Sequence, residues 1–134
     1  MLQPGRTKYR KQFRGKMRGN SRGSLVSFGD YGLKALTRSW LTANQIESAR
    51  RTIAHHTKRA GRVWIRIFPD KPITQKGAGA PLGAGKGDVC GYICVVKPGR
   101  VMFEIGGVPE TLAIRALKLA GSKLPLKYKI IKRK

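Results

Sequence analysis

The chain has 134 residues, enough for one domain with a modest core and too few for two of ordinary size. Its 29 Lys and Arg against 6 Asp and Glu give a formal charge of +23, a self-repulsion that disfavours a compact state unless a polyanion neutralises it. The wholly apolar runs last only a few residues, far below the roughly 20 that span a bilayer, so no membrane partner is expected and nucleic acid is the implied one.

Residues 1–23 read as a basic arm: Arg6, Lys8, Arg10, Lys11, Arg14, Lys16, Arg18 and Arg22 occur there with no acidic residue. Too few apolar side chains accompany them to offset the entropy of ordering the chain, so phosphates are expected to organise the arm. Tyr9 and Phe13 are interleaved as stacking surfaces, which favours RNA binding over a merely solvated tail. Gly and Pro interrupt the helix that an organelle transit peptide would need.

Residues 24–131 are expected to form a single folded domain, with 132–134 as a basic tail. Residues 24–28 suggest a short strand, with Gly29, Tyr31 and Gly32 at turn-like positions. Thr42 and Gln45 then make a capping box, and Ile46, Ala49, Ile53, Thr57 and Ala60 fall on one helix face, with Gly61 as the left-handed stop. The other side of this helix carries Arg50, Arg51, Lys58 and Arg59, a ridge suited to phosphates. His55 and His56 lie between the faces, where polar contacts at the core edge or with RNA are expected of them rather than catalysis.

Residues 62–68 alternate with period two. Val63, Ile65 and Ile67 share a core face, and Arg62, Trp64 and Arg66 share the other, which is either a packing surface under the arm or an RNA platform. Pro69-Asp70-Lys71-Pro72 should break this strand in a turn. Strands at 89–96 and 100–105, joined by Lys97-Pro98-Gly99, should pair as an antiparallel hairpin. Pro109 and Glu110 open a second helix with a Leu112, Ala113, Ala116, Leu117, Ala120 stripe that ends at Gly121. Leu126, Tyr128 and Ile130 alternate with Lys127 and Lys129 in a last strand. The resulting class is α+β: a mainly antiparallel sheet covered on one side by two helices, with a basic N-terminal arm and a long glycine-rich loop.

That loop, residues 76–87, is too long for an ordinary turn and almost without side chains. A P-loop would need Gly at 80 and Ser or Thr at 87, where Ala80 and Gly87 stand, and the dinucleotide glycine pattern is also unmet. The better reading is a thin probe. Gly79, Gly83, Gly85 and Gly87 let the backbone approach phosphates or a base-paired surface, Lys76 and Lys86 supply charge at its ends, and Pro81 stiffens it. A merely mobile surface loop is the plain alternative.

Cys90 and Cys94, four apart on one extended run, stand roughly 13 Å apart and cannot form a disulfide with each other. They are expected to be buried and reduced, since a metal site would need further ligands and only His55 and His56 exist. The six acids are scattered. Glu47 and Glu110 are assigned to first helical turns and Asp70 to a turn, and no catalytic arrangement emerges, so no cofactor, metal or enzymatic activity is expected.

Several segments resemble the large-subunit ribosomal protein family called L-sixteen in bacteria. They run from Met1-Leu2-Gln3-Pro4 with Arg6-Thr7-Lys8, through Ser27-Phe28-Gly29 and Gly32-Leu33-Lys34-Ala35, to Leu41-Thr42-Ala43, Gln45-Ile46-Glu47 and Ala49-Arg50-Arg51. The strongest single stretch is Val63-Trp64-Ile65-Arg66-Ile67-Phe68-Pro69-Asp70-Lys71-Pro72-Ile73-Thr74, followed by Gly83 with Gly85-Lys86-Gly87 and by Lys97-Pro98-Gly99-Arg100-Val101. The resemblance implies a protein that binds large-subunit ribosomal RNA beside the aminoacyl-tRNA site, joins late in assembly and points its glycine loop toward tRNA near the peptidyl-transferase centre. The implied partners are ribosomal RNA, tRNA at the aminoacyl and peptidyl sites and neighbouring large-subunit proteins, with no homo-oligomer. The implied location is the ribosome of a bacterial cytoplasm, a chloroplast stroma or a mitochondrial matrix. Where the family commonly has Arg-Met-Gly-x-Gly-Lys-Gly, this chain has Pro81-Leu82-Gly83-Ala84-Gly85-Lys86-Gly87. The arginine that some members hydroxylate is therefore absent. An RNA chaperone and an RNA-modifying enzyme are the competing classes, the second lacking a cofactor loop or catalytic cluster.

Overall fold

The computed structural model describes residues 2–15, 18–77, 79, 83 and 85–133. The chain runs β1 (Tyr31–Ala35), β2 (Ser39–Thr42), α1 (Ala43–His56), β3 (Arg62–Ile65), β4 (Lys71–Gln75), β5 (Asp88–Val96), β6 (Val101–Gly106), α2 (Glu110–Gly121) and β7 (Tyr128–Lys132). These strands make two sheets, ordered β3-β6-β1-β7 and β2-β5-β4, and every pairing in them is antiparallel. The α+β class stands, with the strands divided between two sheets.

Strand β6 is buried along its whole length at the centre of the first sheet. Leu33 of β1 lies opposite its Phe103, and Val63 and Ile65 of β3 flank Ile105 and Phe103 from the other side. The helices cover this apolar surface with Ile46, Ala49 and Ile53 from α1 and Ala113, Ala116, Leu117 and Ala120 from α2. Burying a Leu, Ile or Phe side chain contributes about 1.5–3 kcal/mol, while the alanines between the helices let them approach closely. At the end of α2, Gly121 meets the Tyr128 ring so closely that an added Cβ would fall 2.4 Å from it.

The capping box of α1 is present in both directions: Gln45 N–H donates to Thr42 Oγ1 at 3.2 Å, and Thr42 N–H donates to Gln45 Oε1 at 2.9 Å. The helix ends at His56, before Gly61. Lys58 N–H donates to the His55 carbonyl and Arg59 N–H to the Ala54 carbonyl, the bond pair of a Schellman stop with Lys58 in the place glycine usually takes. Lys58 (φ 52°) and Arg59 (φ 62°) are both left-handed.

Other expectations are corrected. Residues 24–28 form no strand, because the N–H groups of Ser27, Phe28 and Gly29 turn to a side chain instead of a ladder. Strand β3 stops at Ile65, and what was expected to be a turn at 69–72 opens β4, with Pro72 paired to Tyr92. Proline is tolerated there because β4 is an edge strand, with a pairing partner on one side only. Strands β5 and β6 do not form a hairpin: Lys97-Pro98-Gly99 is a crossover between sheets. Gly99 N–H donates to the Ala35 carbonyl and Ala35 N–H to the Arg100 carbonyl, which commits the chain to β1 before β6 begins. The hairpin present is β4–β5, and residues 76–87 connect its strands. Leu112 is half-buried at the rim of its helix face, and Ala60, past the end of α1, is exposed instead of continuing the buried stripe.

Candidate nucleic-acid interface

The link between arm and domain is built on one acidic side chain. Glu104, on the fully buried β6, has no exposure, yet no neighbour along the strand can satisfy a carboxylate. Its Oε1 accepts from Ser27 N–H at 3.0 Å, Phe28 N–H at 2.7 Å and Gly29 N–H at 2.9 Å. Its Oε2 lies 3.0 Å from Nη1 of Arg66, whose N–H is aligned on the Leu25 carbonyl at 2.8 Å. Arg100 completes the seam, donating to the Arg66 carbonyl at 2.6 Å and to the Arg22 carbonyl at 3.4 Å. Residues 21–29 are thereby stitched across the first sheet. An added Cβ at Gly29 would stand 2.7 Å from the Ile105 carbonyl oxygen, so only glycine fits this approach.

The face of β3 carrying Arg62 and Trp64, continued by Arg66 just past the strand, packs under this segment. Phe28 stacks on Trp64 with ring centroids 6.4 Å apart and planes inclined by 21°. The Arg62 guanidinium lies 6.0 Å from the Trp64 ring and that of Arg66 lies 5.5 Å from Phe28. Arg66 thus differs from the other predicted cations in being committed inside the protein, whereas Arg62 is exposed.

Among the described arm residues, Arg6, Lys8, Arg10, Arg14, Arg18 and Arg22 are exposed and Lys11 is half-buried. Lys16 lies outside the described residues, as does Lys134 of the tail. The arm crosses the second sheet, where Arg14 and Lys71 each approach the Trp40 ring at 5.2 Å and the Lys71 ammonium donates to the Arg14 carbonyl. It continues to the loop base: the Lys86 ammonium donates to the Gln12 carbonyl at 2.5 Å and lies 5.9 Å from the Phe13 ring, while Lys11 donates to the Lys86 carbonyl at 3.4 Å. These contacts place arm and loop side by side. Gly79, Gly83 and Gly85 all have positive φ, and Lys76 donates to the Gly83 carbonyl. At Gly87 an added Cβ would fall 2.7 Å from the Gln75 backbone, so the loop base closes only on glycine. Pro81 lies outside the described residues.

Arg50 and Arg51 of α1, with Lys58 and Arg59 of the turn that follows it, line one concavity with His55. Glu47 tempers it. Arg50 Nε donates to Glu47 Oε2 at 2.9 Å and its Nη2 to Oε1, and Arg51 Nε donates to Oε1 at 3.2 Å. Glu47 is the fifth residue of α1 and lies beyond the first turn, so these arginines, and chiefly Arg50, hold its carboxyl down at about 2. Lys58 and Arg59 are exposed, and among the described residues no acid pairs with them.

Of the cysteines, Cys94 is buried and its thiol is pushed up by desolvation. Cys90 is exposed, against expectation, because the outer half of β5 leaves the core with β4 toward the loop. Both are free. Among the described residues no three His, Cys, Asp or Glu side chains gather as a metal site, and no helix is long and apolar enough to cross a membrane.

The sequence reading missed Glu104. An acid set inside Val101-Met102-Phe103-Glu104-Ile105 was the available signal, since burial of such a run demands a partner for the charge.

The family model described as "Ribosomal protein L16p/L10e" matches residues 4–131. The chain is 60% identical to "Large ribosomal subunit protein uL16" of Kosmotoga olearia over 134 residues, covering 99% of this chain and 95% of the relative. The same figures hold for the protein of that name from Petrotoga mobilis. "Large ribosomal subunit protein uL16c" of Trieres chinensis is 57% identical, with 99% of this chain and 98% of the relative covered. With so little of the sequence left outside the match, the chain belongs to the ribosomal protein L16p/L10e family.

Proposed function

We propose that this chain is a non-catalytic, structural constituent of the large ribosomal subunit, binding large-subunit ribosomal RNA and helping to organise the aminoacyl-tRNA site near the peptidyl-transferase centre. The observation that carries this reading is the 60% identity, over nearly the full length of both chains, with proteins named for the large ribosomal subunit. The chain's charge of +23 supports it independently, since most of that charge must face a polyanion to be tolerated. The location in this reading is the ribosome, of a bacterium or of an organelle.

The division of labour follows the surfaces. Residues 1–23 act as the RNA-binding arm, with Arg50, Arg51, Lys58, Arg59 and Arg62 of the domain adding phosphate contacts that position without reading sequence. Arg66 orders the segment that leads into the arm. The loop at 76–87 is the part presented to tRNA at the aminoacyl and peptidyl sites, and other large-subunit proteins are the remaining neighbours.

Sedimentation of native extract in magnesium buffer tests the proposal: the chain should travel with large subunits, and its presence only in the free soluble fraction would refute it. Deleting residues 77–85 should preserve RNA docking and impair tRNA binding or subunit maturation. Full subunit yield with normal translation would remove the loop from the account.

A further inference from the structure

The first sheet ends on β7, and its outermost pairing sets two lysines against each other. Lys34 of β1 lies directly opposite Lys129 of β7, between the pairs Leu33↔Ile130 and Ala35↔Tyr128. Leu33 and Ile130 turn toward the core, and successive residues of a strand point to opposite faces, so both lysines leave the sheet on its other face. Directly opposed residues hold their Cβ atoms roughly 4.5–5.5 Å apart, where like charges destabilise the pairing. Lys34 is half-buried, which hinders hydration of its stem, while Lys129 is exposed.

No acid forms an ion pair with either lysine among the described residues. The ion pairs of those residues join Glu47 to Arg50 and Arg51, and Glu104 to Arg66. Asp30, whose carbonyl accepts from Arg133 at the far end of the ladder, has its carboxylate 3.3 Å from the Gly107 N–H.

We propose that Lys34 and Lys129 form a phosphate-receiving pair on the outer face of β1 and β7, beside the strip of that face where Val26 covers Gly32, as a second RNA-docking surface distinct from the α1 ridge and the loop. This rests on the reading of the chain as RNA-bound. Each ammonium is a point charge on a flexible stem, so the two converge on the oxygens of one phosphodiester, and the anion between them turns a repulsive pair into an attractive triplet. The contact reads no base and fixes orientation only. Two docking faces would hold the domain between RNA segments, where the arm alone would tether it.

The test exploits two effects of opposite sign. Lys129→Glu replaces the repulsion with a cross-strand ion pair, so the isolated full-length variant should gain about 1–5 °C in Tm. Its affinity for large-subunit ribosomal RNA at fixed salt should nevertheless fall about tenfold, and the slope of log affinity against log salt should shrink by roughly 0.7–0.9 for the phosphate lost. Lys129→Gln, which only removes the charge, should lose the same slope, and it serves if the glutamate variant misfolds. Unchanged RNA affinity and salt slope in both variants would overturn the pair as an RNA site and leave an acidic protein partner to be sought. An Arg6→Ala, Arg10→Ala, Arg14→Ala variant is measured beside them. If it weakens binding while the Lys129 variants do not, the pair fails alone; if none of them changes binding, the RNA-bound reading itself fails.

Discussion

Arg66, the residue after β3, and Glu104 of β6 face each other at 3.0 Å, with the Glu104 side chain entirely buried and that of Arg66 only 16% exposed. The other carboxylate oxygen gathers the three consecutive N–H groups of residues 27–29, so one charge both satisfies a buried cation and shapes the chain entering the fold. Glu104→Ala leaves three donors without their acceptor and a guanidinium without its counter-charge, at a cost of about 3–5 kcal/mol. That is a large share of the roughly 5–15 kcal/mol by which domains are stable. Denaturant unfolding should show the loss, and amide exchange at residues 27–29 should accelerate before global unfolding. Native protection at those amides in the variant would mean that the turn is held by something else.

Glu47 controls the α1 ridge from within. Its carboxyl, held at about 2 by Arg50 and Arg51, lies below its value in an unfolded chain. The stabilisation is therefore fully present above about pH 4.5 and is lost as pH falls toward 2. Because both arginines are substantially exposed, the contribution is about 0.5–1 kcal/mol. Glu47→Gln should lose that stability at pH 7 and remove the corresponding acid sensitivity between pH 4.5 and 2. It should also free two guanidiniums, so RNA binding tightens and its salt dependence steepens. A variant that is weaker in both stability and RNA binding would show that Glu47 orients the arginines for phosphate instead of competing with it.

Local signals in the sequence carried well and pairing signals did not. The Thr42 and Gln45 cap and the alanine stripe of α2 follow from residues close together in the chain, and each stands where expected. The β5–β6 hairpin failed because Pro98-Gly99 reads as a tight turn in either topology. Only the long-range competition of Ala35 for the Gly99 and Arg100 backbone decides that the chain crosses to the other sheet. Proline at 72 hid β4 for a similar reason: its meaning depends on an edge position that no local pattern reveals. The cations of the candidate interface were legible as charge. Their sorting into Arg66 bound to Glu104, Arg50 tied to Glu47 and exposed Lys58 required the packed structure.

The two cysteines differ in reach, which thiol chemistry can read. Cys90 is exposed on the outer half of β5, while Cys94 is buried with its thiol pushed up by desolvation. A thiol-specific reagent at pH 8 should modify Cys90 in the native protein and reach Cys94 only on unfolding, since the thiolate is the reactive form. Peptide mapping checks this, and simultaneous labelling of both under native conditions would contradict the placement of β5 in its sheet.

The stop of α1 sets a conformational cost against a charge. Lys58 sits at φ 52° where the Schellman bonds from Lys58 to His55 and from Arg59 to Ala54 require a left-handed residue, a geometry that disfavours side chains by about 1 kcal/mol or more. Glycine would relieve that strain, although its freer unfolded chain returns part of the gain. Lys58→Gly should therefore stabilise the isolated protein by about 0.5 kcal/mol while weakening RNA binding and lowering its salt slope by roughly 0.7–0.9. Lys58→Ala separates the two effects, because it loses the same charge and keeps the strain. Equal RNA defects with unequal stabilities would establish that the ammonium serves the interface at the expense of the helix end. A glycine variant less stable than the alanine variant would show instead that the lysine stem supports the turn.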